Sequence, residues 1–204
     1  MCQAVRVAQV AHTEPTGNDP RRRAIHDAAI AEFSERGYAG TSMANIADRV
    51  GVSRPALYQY FSNKGDIFVS AFVALFDDQA DLALAELDAD GAVAEQLDGF
   101  LQRWDGDLWE RMAASPHSEE LMLAKPARTT EALAHVIARV RSGTADFLTR
   151  VAPGRSKAMI DRRAGWADVL ALAPKGFKTD TPSVDDYRRR LSTLAHSVAA
   201  DISR

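Results

Sequence analysis

Thr41-Ser42-Met43-Ala44-Asn45-Ile46-Ala47-Asp48-Arg49-Val50-Gly51-Val52-Ser53, continuing Arg54-Pro55-Ala56-Leu57-Tyr58-Gln59-Tyr60-Phe61-Ser62-Asn63-Lys64, is the stretch that decides how the whole chain is read. Thr41 is placed to cap a short helix in which Met43, Ile46, Ala47 and Val50 fall at i, i+3, i+4 and i+7, and Gly51 ends it. Ser53 caps a second helix whose first turn holds Pro55, where the missing N–H costs little, and Leu57 and Phe61 point inward one turn apart. Arg54, Pro55, Tyr58 and Gln59 are left facing outward. Two short helices joined by a glycine turn form a helix-turn-helix, whose second helix is shaped to lie in the DNA major groove. The turn Gly51-Val52-Ser53 supplies a residue that accepts positive φ, an apolar plug and a helix cap. Arg54, in the first turn of the second helix, is placed to reach a base edge, and an arginine donating twice to guanine is the commonest specific contact. Tyr58 and Lys64 suit phosphate.

Working outward, a helix is expected from Pro20 to Arg36, with Asp19 as N-cap and Gly37 as a left-handed stop, burying Ile25, Ala29 and Phe33. With this helix the pattern spans some 45 residues and resembles the DNA-binding region of the TetR family of transcriptional regulators. The resemblance implies that Thr41, Tyr58 and Lys64 hold phosphates and that bases are read from among Arg54, Pro55, Ala56, Gln59 and Tyr60; Ser42 and Ser53 complete the candidate DNA-facing set. Val50 stands where alanine is usual in the family, and Ile67 where leucine is usual. Both departures are chemically conservative.

The remaining 140 residues match that family only in helical layout. Helices are expected over about Lys64–Leu87, from Val93 to the region of Met112, around Leu121–Ala124, over Thr129–Val151, over Ser156–Ala173 and over Ser183–Ser203, with a loop from Pro174 to Pro182. No β-branched alternating run suggests a strand, so the fold class is all-α: a helix-turn-helix three-helix module followed by a larger helical ligand-binding and dimerisation bundle. The expected divisions are a mobile tail at 1–19, the DNA-binding module at 20–64 and the second module at 65–204.

Charge is distributed unevenly between those divisions. The chain of 204 residues has 25 basic and 28 acidic groups, net −3, yet residues 20–64 carry seven basic and four acidic ones. A small basic module precedes a larger acidic one. The single cysteine, Cys2, can form neither an internal disulfide nor a cysteine-based zinc site, and no apolar run reaches membrane-spanning length, so a cytoplasmic protein with no membrane partner is expected. Catalysis is not expected: no G-x-S-x-G, P-loop, G-x-G-x-x-G or H-E-x-x-H sequence is present, and the five histidines fall at no metal-ligand spacing. Neither cofactor nor metal is therefore assigned.

By the resemblance, the second module holds a small-molecule effector and makes a homodimer that grips a pseudo-palindromic double-stranded operator, as a repressor released by a small apolar ligand. Trp104, Trp109, Met112, Met122, Phe147 and Trp166 are the large or adaptable residues expected near such a pocket. Val184, Tyr187, Leu191, Leu194 and Val198 recur at alternating steps of three and four, and with Ile160, Trp166, Ala167 and Leu170 they are the expected dimer seam, although burial within one chain explains the same spacing. The competing readings are a regulator that binds DNA constitutively and an all-α interaction protein that binds none.

Overall fold

Asp19 opens α1 (Pro20–Gly40) by accepting the Arg21 N–H at 2.9 Å, and Pro20 occupies the first helical position, where an N–H would go unused. In this computed structural model residues 19–123, 127–177 and 183–203 are described, without the side chains of residues 122, 123, 127 and 128. The expected tail at 1–18 and most of the expected Pro174–Pro182 loop lie outside that set. Gly37, at φ 72°, breaks α1 at the expected stop, and one further turn reaches Gly40. α2 (Met43–Val50) and α3 (Arg54–Tyr58) follow, and α4 (Lys64–Glu86) runs on from them.

α1, α2 and α3 close around Ile25, Ala29, Phe33, Ile46, Leu57 and Phe61. α4 contributes Ile67, Phe68 and Phe72 to the same core, so packing continues past Lys64 without a seam. Phe33 meets the edge of Phe68 at 5.1 Å, and Phe68 stacks on Phe72 at 4.4 Å. α4 belongs to both cores. Its Phe76 packs against the first core and, through the edge of Trp104, against the second.

Beyond α4 come α5 (Val93–Leu101), a π-helical turn (Gln102–Gly106), α6 (Asp107–Ala113), α7 (Ser118–Leu123), α8 (Ala127–Ala132), α9 (Ala134–Val151), α10 (Lys157–Phe177) and α11 (Val184–Ile202); α5, the π turn, α9, α10 and α11 build the second core with the end of α4, whereas Leu121 of α7 packs into the first. The described residues contain no strand. Several boundaries differ from expectation for local reasons. The stretch from Val93 carries the π turn, which directs Trp104 and Asp105 into the core, where Asp105 accepts from the Tyr187 hydroxyl of α11. The expected helix over Thr129–Val151 breaks at Leu133. Gly143 lets α9 approach α4: a Cβ there would lie 2.5 Å from a Leu84 methyl. α10 continues through Pro174 to Phe177; buried Pro174 offers its carbonyl to Tyr187, a tertiary contact that favours the proline's place inside the helix.

Five members of the expected dimer seam are enclosed by their own chain. Tyr187, Leu191 and Val198 of α11 and Ala167 and Leu170 of α10 are buried inside the single chain, at 0–1% exposure. α11 lies on α5 and the π turn, and that contact accounts for its three-four spacing. Val184 and Leu194 are half-buried, as is Trp166, whose indole N–H donates to Asp201 at 2.8 Å. Ile160, 50% exposed, is the member of the set that faces solvent.

His26 is a buried titratable group of α1. It sits 2.9 Å from the Ser70 hydroxyl and beside the Phe61 ring, and burial followed by the neighbouring Arg22 charge holds its pKa down at about 4. Unfolded chains therefore take up a proton near pH 6.5 that folded chains refuse. Stability on this account is complete above that value and falls as pH drops toward 4, by up to about 2 kcal/mol at about pH 5. Urea unfolding at about pH 7 and pH 5 should show this loss in the wild type and a smaller one in His26→Asn; equal losses would remove His26 as the cause.

Candidate nucleic-acid interface

Ser42, not Thr41, caps α2. Its hydroxyl accepts the Asn45 N–H at 3.2 Å while Asn45 Oδ1 accepts the Ser42 N–H at 3.0 Å, a reciprocal box that satisfies two donors at the helix start. Gly51 closes α2 in the left-handed region, at φ 76° and ψ 36°, and Val52 donates back to Ala47 at 3.0 Å. Ser53 then accepts the Ala56 N–H, Pro55 lies in the first turn, and Leu57 enters the core. Local chemistry alone thus fixes the angle at which α3 leaves α2.

The face that α3 turns outward carries Arg54, Pro55, Tyr58 and Gln59, with Tyr58 53% exposed. Ser42 and Ser53 are exposed beside it; Ala56 is half-buried, and Tyr60 packs partly against the first core. Arg54 has no hydrogen-bond or ion-pair partner among the described residues, whereas Arg49, two residues before the glycine, is held by Glu32 at 2.7 Å and by Glu35. The arginine on the candidate reading face is therefore uncommitted.

Thr41 and Lys64, both expected at phosphates, are engaged internally. Thr41 is 2% exposed, and its hydroxyl donates to the carbonyls of Gly37 at 2.7 Å and Glu32 at 3.1 Å. Lys64 donates to the carbonyls of Tyr38 at 2.6 Å and Thr41 at 2.8 Å, with its ammonium 4.4 Å from the Tyr38 ring centre. Together they tie the last turn of α1 to the start of α4. Tyr38 was missed in the sequence because its partner lies 26 residues away.

That turn is also held from the far side. Glu120 of α7 accepts the Ala39 N–H at 2.6 Å and sits beside Gly37 with His117, while Ser115 donates to the Ser34 carbonyl at 2.8 Å. α7 thereby braces the helix-turn-helix from the second module.

The expected pocket residues do not converge. Trp104 and Phe147 are core residues, Trp109 packs beside Tyr187, Trp166 binds Asp201, and the side chain of Met122 lies outside the described residues. Among the described side chains of the six, Met112 borders a cavity of about 100 Å³, at the junction of α1, α4, α6 and α7. Among the described residues no group of three His, Cys, Asp or Glu side chains is placed to hold a metal, and no helix is long and apolar enough to cross a membrane.

Residues 25–71 match the bacterial regulatory proteins of the tetR family. Among curated proteins, the chain is 46% identical over 52 residues to the HTH-type transcriptional activator FasR of Mycolicibacterium smegmatis, covering 26% of this chain and 24% of that one. It is 31% identical over 87 residues to the biofilm operon icaADBC HTH-type negative transcriptional regulator IcaR of Staphylococcus aureus, covering 43% and 47%. The matched part thus spans less than half of either relative. A crystal structure of a TetR-family transcriptional regulator from Mesorhizobium loti, at 19% identity, superposes with a TM-score of 0.66 over 89% of this chain and 96% of that one, which extends the likeness of fold across the helical bundle.

Proposed function

Since this chain's helix-turn-helix belongs to the TetR family of bacterial regulators, we propose that the protein is a transcriptional regulator that reads duplex DNA with α3. The observation that carries this reading is the uncommitted Arg54 on a helix whose exit angle is set by the Gly51 turn, with Pro55, Tyr58 and Gln59 exposed around it. Tyr58 serves phosphate and Arg54 a base edge; Thr41 and Lys64 act chiefly by holding the turn that presents them.

One short helix reads too few base pairs for a specific site. The protein therefore acts as a symmetric dimer on a pseudo-palindromic operator, with recognition helices about 34–36 Å apart, or further if dimers share a site. Repression, relieved by a small effector, is the regulatory sense we assign. Selection from a random duplex library by the full chain should enrich an inverted repeat; recovery of no sequence above background would overturn the reading.

The dimer contact is assigned to α10, where Ile160 and Leu172 remain exposed and Trp166 is half-buried. Ile160→Asp with Leu172→Asp should leave the helix content and melting temperature of the chain nearly unchanged, yield monomers in sedimentation and abolish tight operator binding. Persistence of dimers would move the interface elsewhere.

A further inference from the structure

The junction cavity is apolar on one side and has an arginine at its edge. Phe33 and Phe72 from the first core, Leu108 from α6 and Leu121 from α7 supply an apolar floor, and Arg111 is the one charged residue among those lining it. Arg111 is exposed and has no ion-pair or hydrogen-bond partner among the described residues, while Arg103 and Arg188, on the adjacent π turn and α11, are each held by two carboxylates. A second cleft opens from the same edge and shares Arg111, and its carboxylates are Asp78, already bound to Arg23 at 2.7 Å, and exposed Asp27.

We propose that this junction cavity binds a small amphipathic monocarboxylate, with its apolar body against Phe33, Phe72, Leu108 and Leu121 and its carboxylate on Arg111. The volume of about 100 Å³ suits a body of roughly four carbons, since an apolar cavity of about 150 Å³ takes benzene. Asp27 in the adjoining cleft disfavours a second negative charge on the ligand. The planar guanidinium offers two parallel donors to a carboxylate, which a neutral head group cannot match.

The position of the cavity gives binding a consequence, and this part rests on the regulator reading above. Ser118 and Leu121 at its wall belong to α7, the helix whose Glu120 holds the Ala39 N–H. A ligand that parts α7 from α1 loosens the turn that carries Thr41 and the Lys64 tie, and so lowers DNA affinity. By linkage, DNA lowers ligand affinity by the same factor, about 5- to 150-fold.

Pentanoate and its neutral analogue 1-pentanol test the site by calorimetric titration of the full chain. Pentanoate should bind saturably, one per chain. Arg111→Gln should weaken it about 10- to 100-fold while changing 1-pentanol less than about twofold. Met112→Trp, which fills the cavity from its wall, should abolish both, with circular dichroism confirming that each variant is folded. No saturable pentanoate binding, or equal affinity in the Arg111→Gln protein, would overturn the proposal. Arginine-dependent binding by a chain that selects no duplex would uphold the site and overturn the regulator reading instead.

Discussion

Leu191→Asp should unfold the bundle rather than release folded monomers. Leu191 is 0% exposed between α11 and the helices it packs on, and a Cβ on Gly106 of the π turn would already lie 3.4 Å from its methyl. The substitution removes a leucine from a close-packed core, a loss of about 2–5 kcal/mol, and leaves a carboxylate there without a partner, which costs several kcal/mol more unless it is protonated. That sum is comparable to the whole stability of an ordinary domain, about 5–15 kcal/mol. The expected result is loss of the cooperative thermal transition monitored at helical wavelengths. Because Phe76 and α4 belong to both cores, the helix-turn-helix should lose stability with the bundle. A helical, cooperatively melting Leu191→Asp monomer would show that α11 faces another chain after all. Ile160→Asp is the matched control, since its side chain is exposed and its loss should leave folding intact.

Arg54→Ala should remove about 1–3 kcal/mol of operator affinity at one base position and leave thermal stability unchanged, because the side chain is exposed and has no hydrogen bond or ion pair with the described residues. Lys64→Met should behave oppositely. Its ammonium donates to two main-chain carbonyls, so its removal should lower stability by about 1.5–3 kcal/mol and weaken every duplex alike by loosening the turn. Binding of a panel of single-base operator variants separates the two outcomes. Unaltered base preference in Arg54→Ala would remove that residue from base reading.

The contrast between those two residues follows from what a sequence encodes locally. α3 and the Gly51 turn were legible because their signals act over a few residues, with Ser53 capping onto Ala56. Helical spacing likewise revealed which side of α1 is buried. It did not reveal the partner. The steps of three and four along Val184–Val198 suit packing against any helix, and the structure gives that place to α5 of the same chain. Trp104 and Phe147 look the same in sequence whether they line a cavity or fill a core. The junction cavity was missed for a related reason: Phe33, Leu108 and Leu121 are ordinary core residues until α7 is brought against α1 by Glu120, 81 positions from Ala39. The turn at Thr41 was half legible, since a threonine before a helix suggests a cap, and the better-placed Ser42 hydroxyl took that role.

The central claim is that α2 and α3 present this protein to duplex DNA, and fluorescence anisotropy of a selected duplex across a salt series tests it most directly. The logarithm of the association constant should fall linearly with the logarithm of salt concentration, with a slope of about −0.9 for each phosphate neutralised, and Arg54→Ala should weaken binding at each salt concentration. Affinity that is unchanged between about 50 and 200 mM salt, or that is indifferent to Arg54, would contradict it.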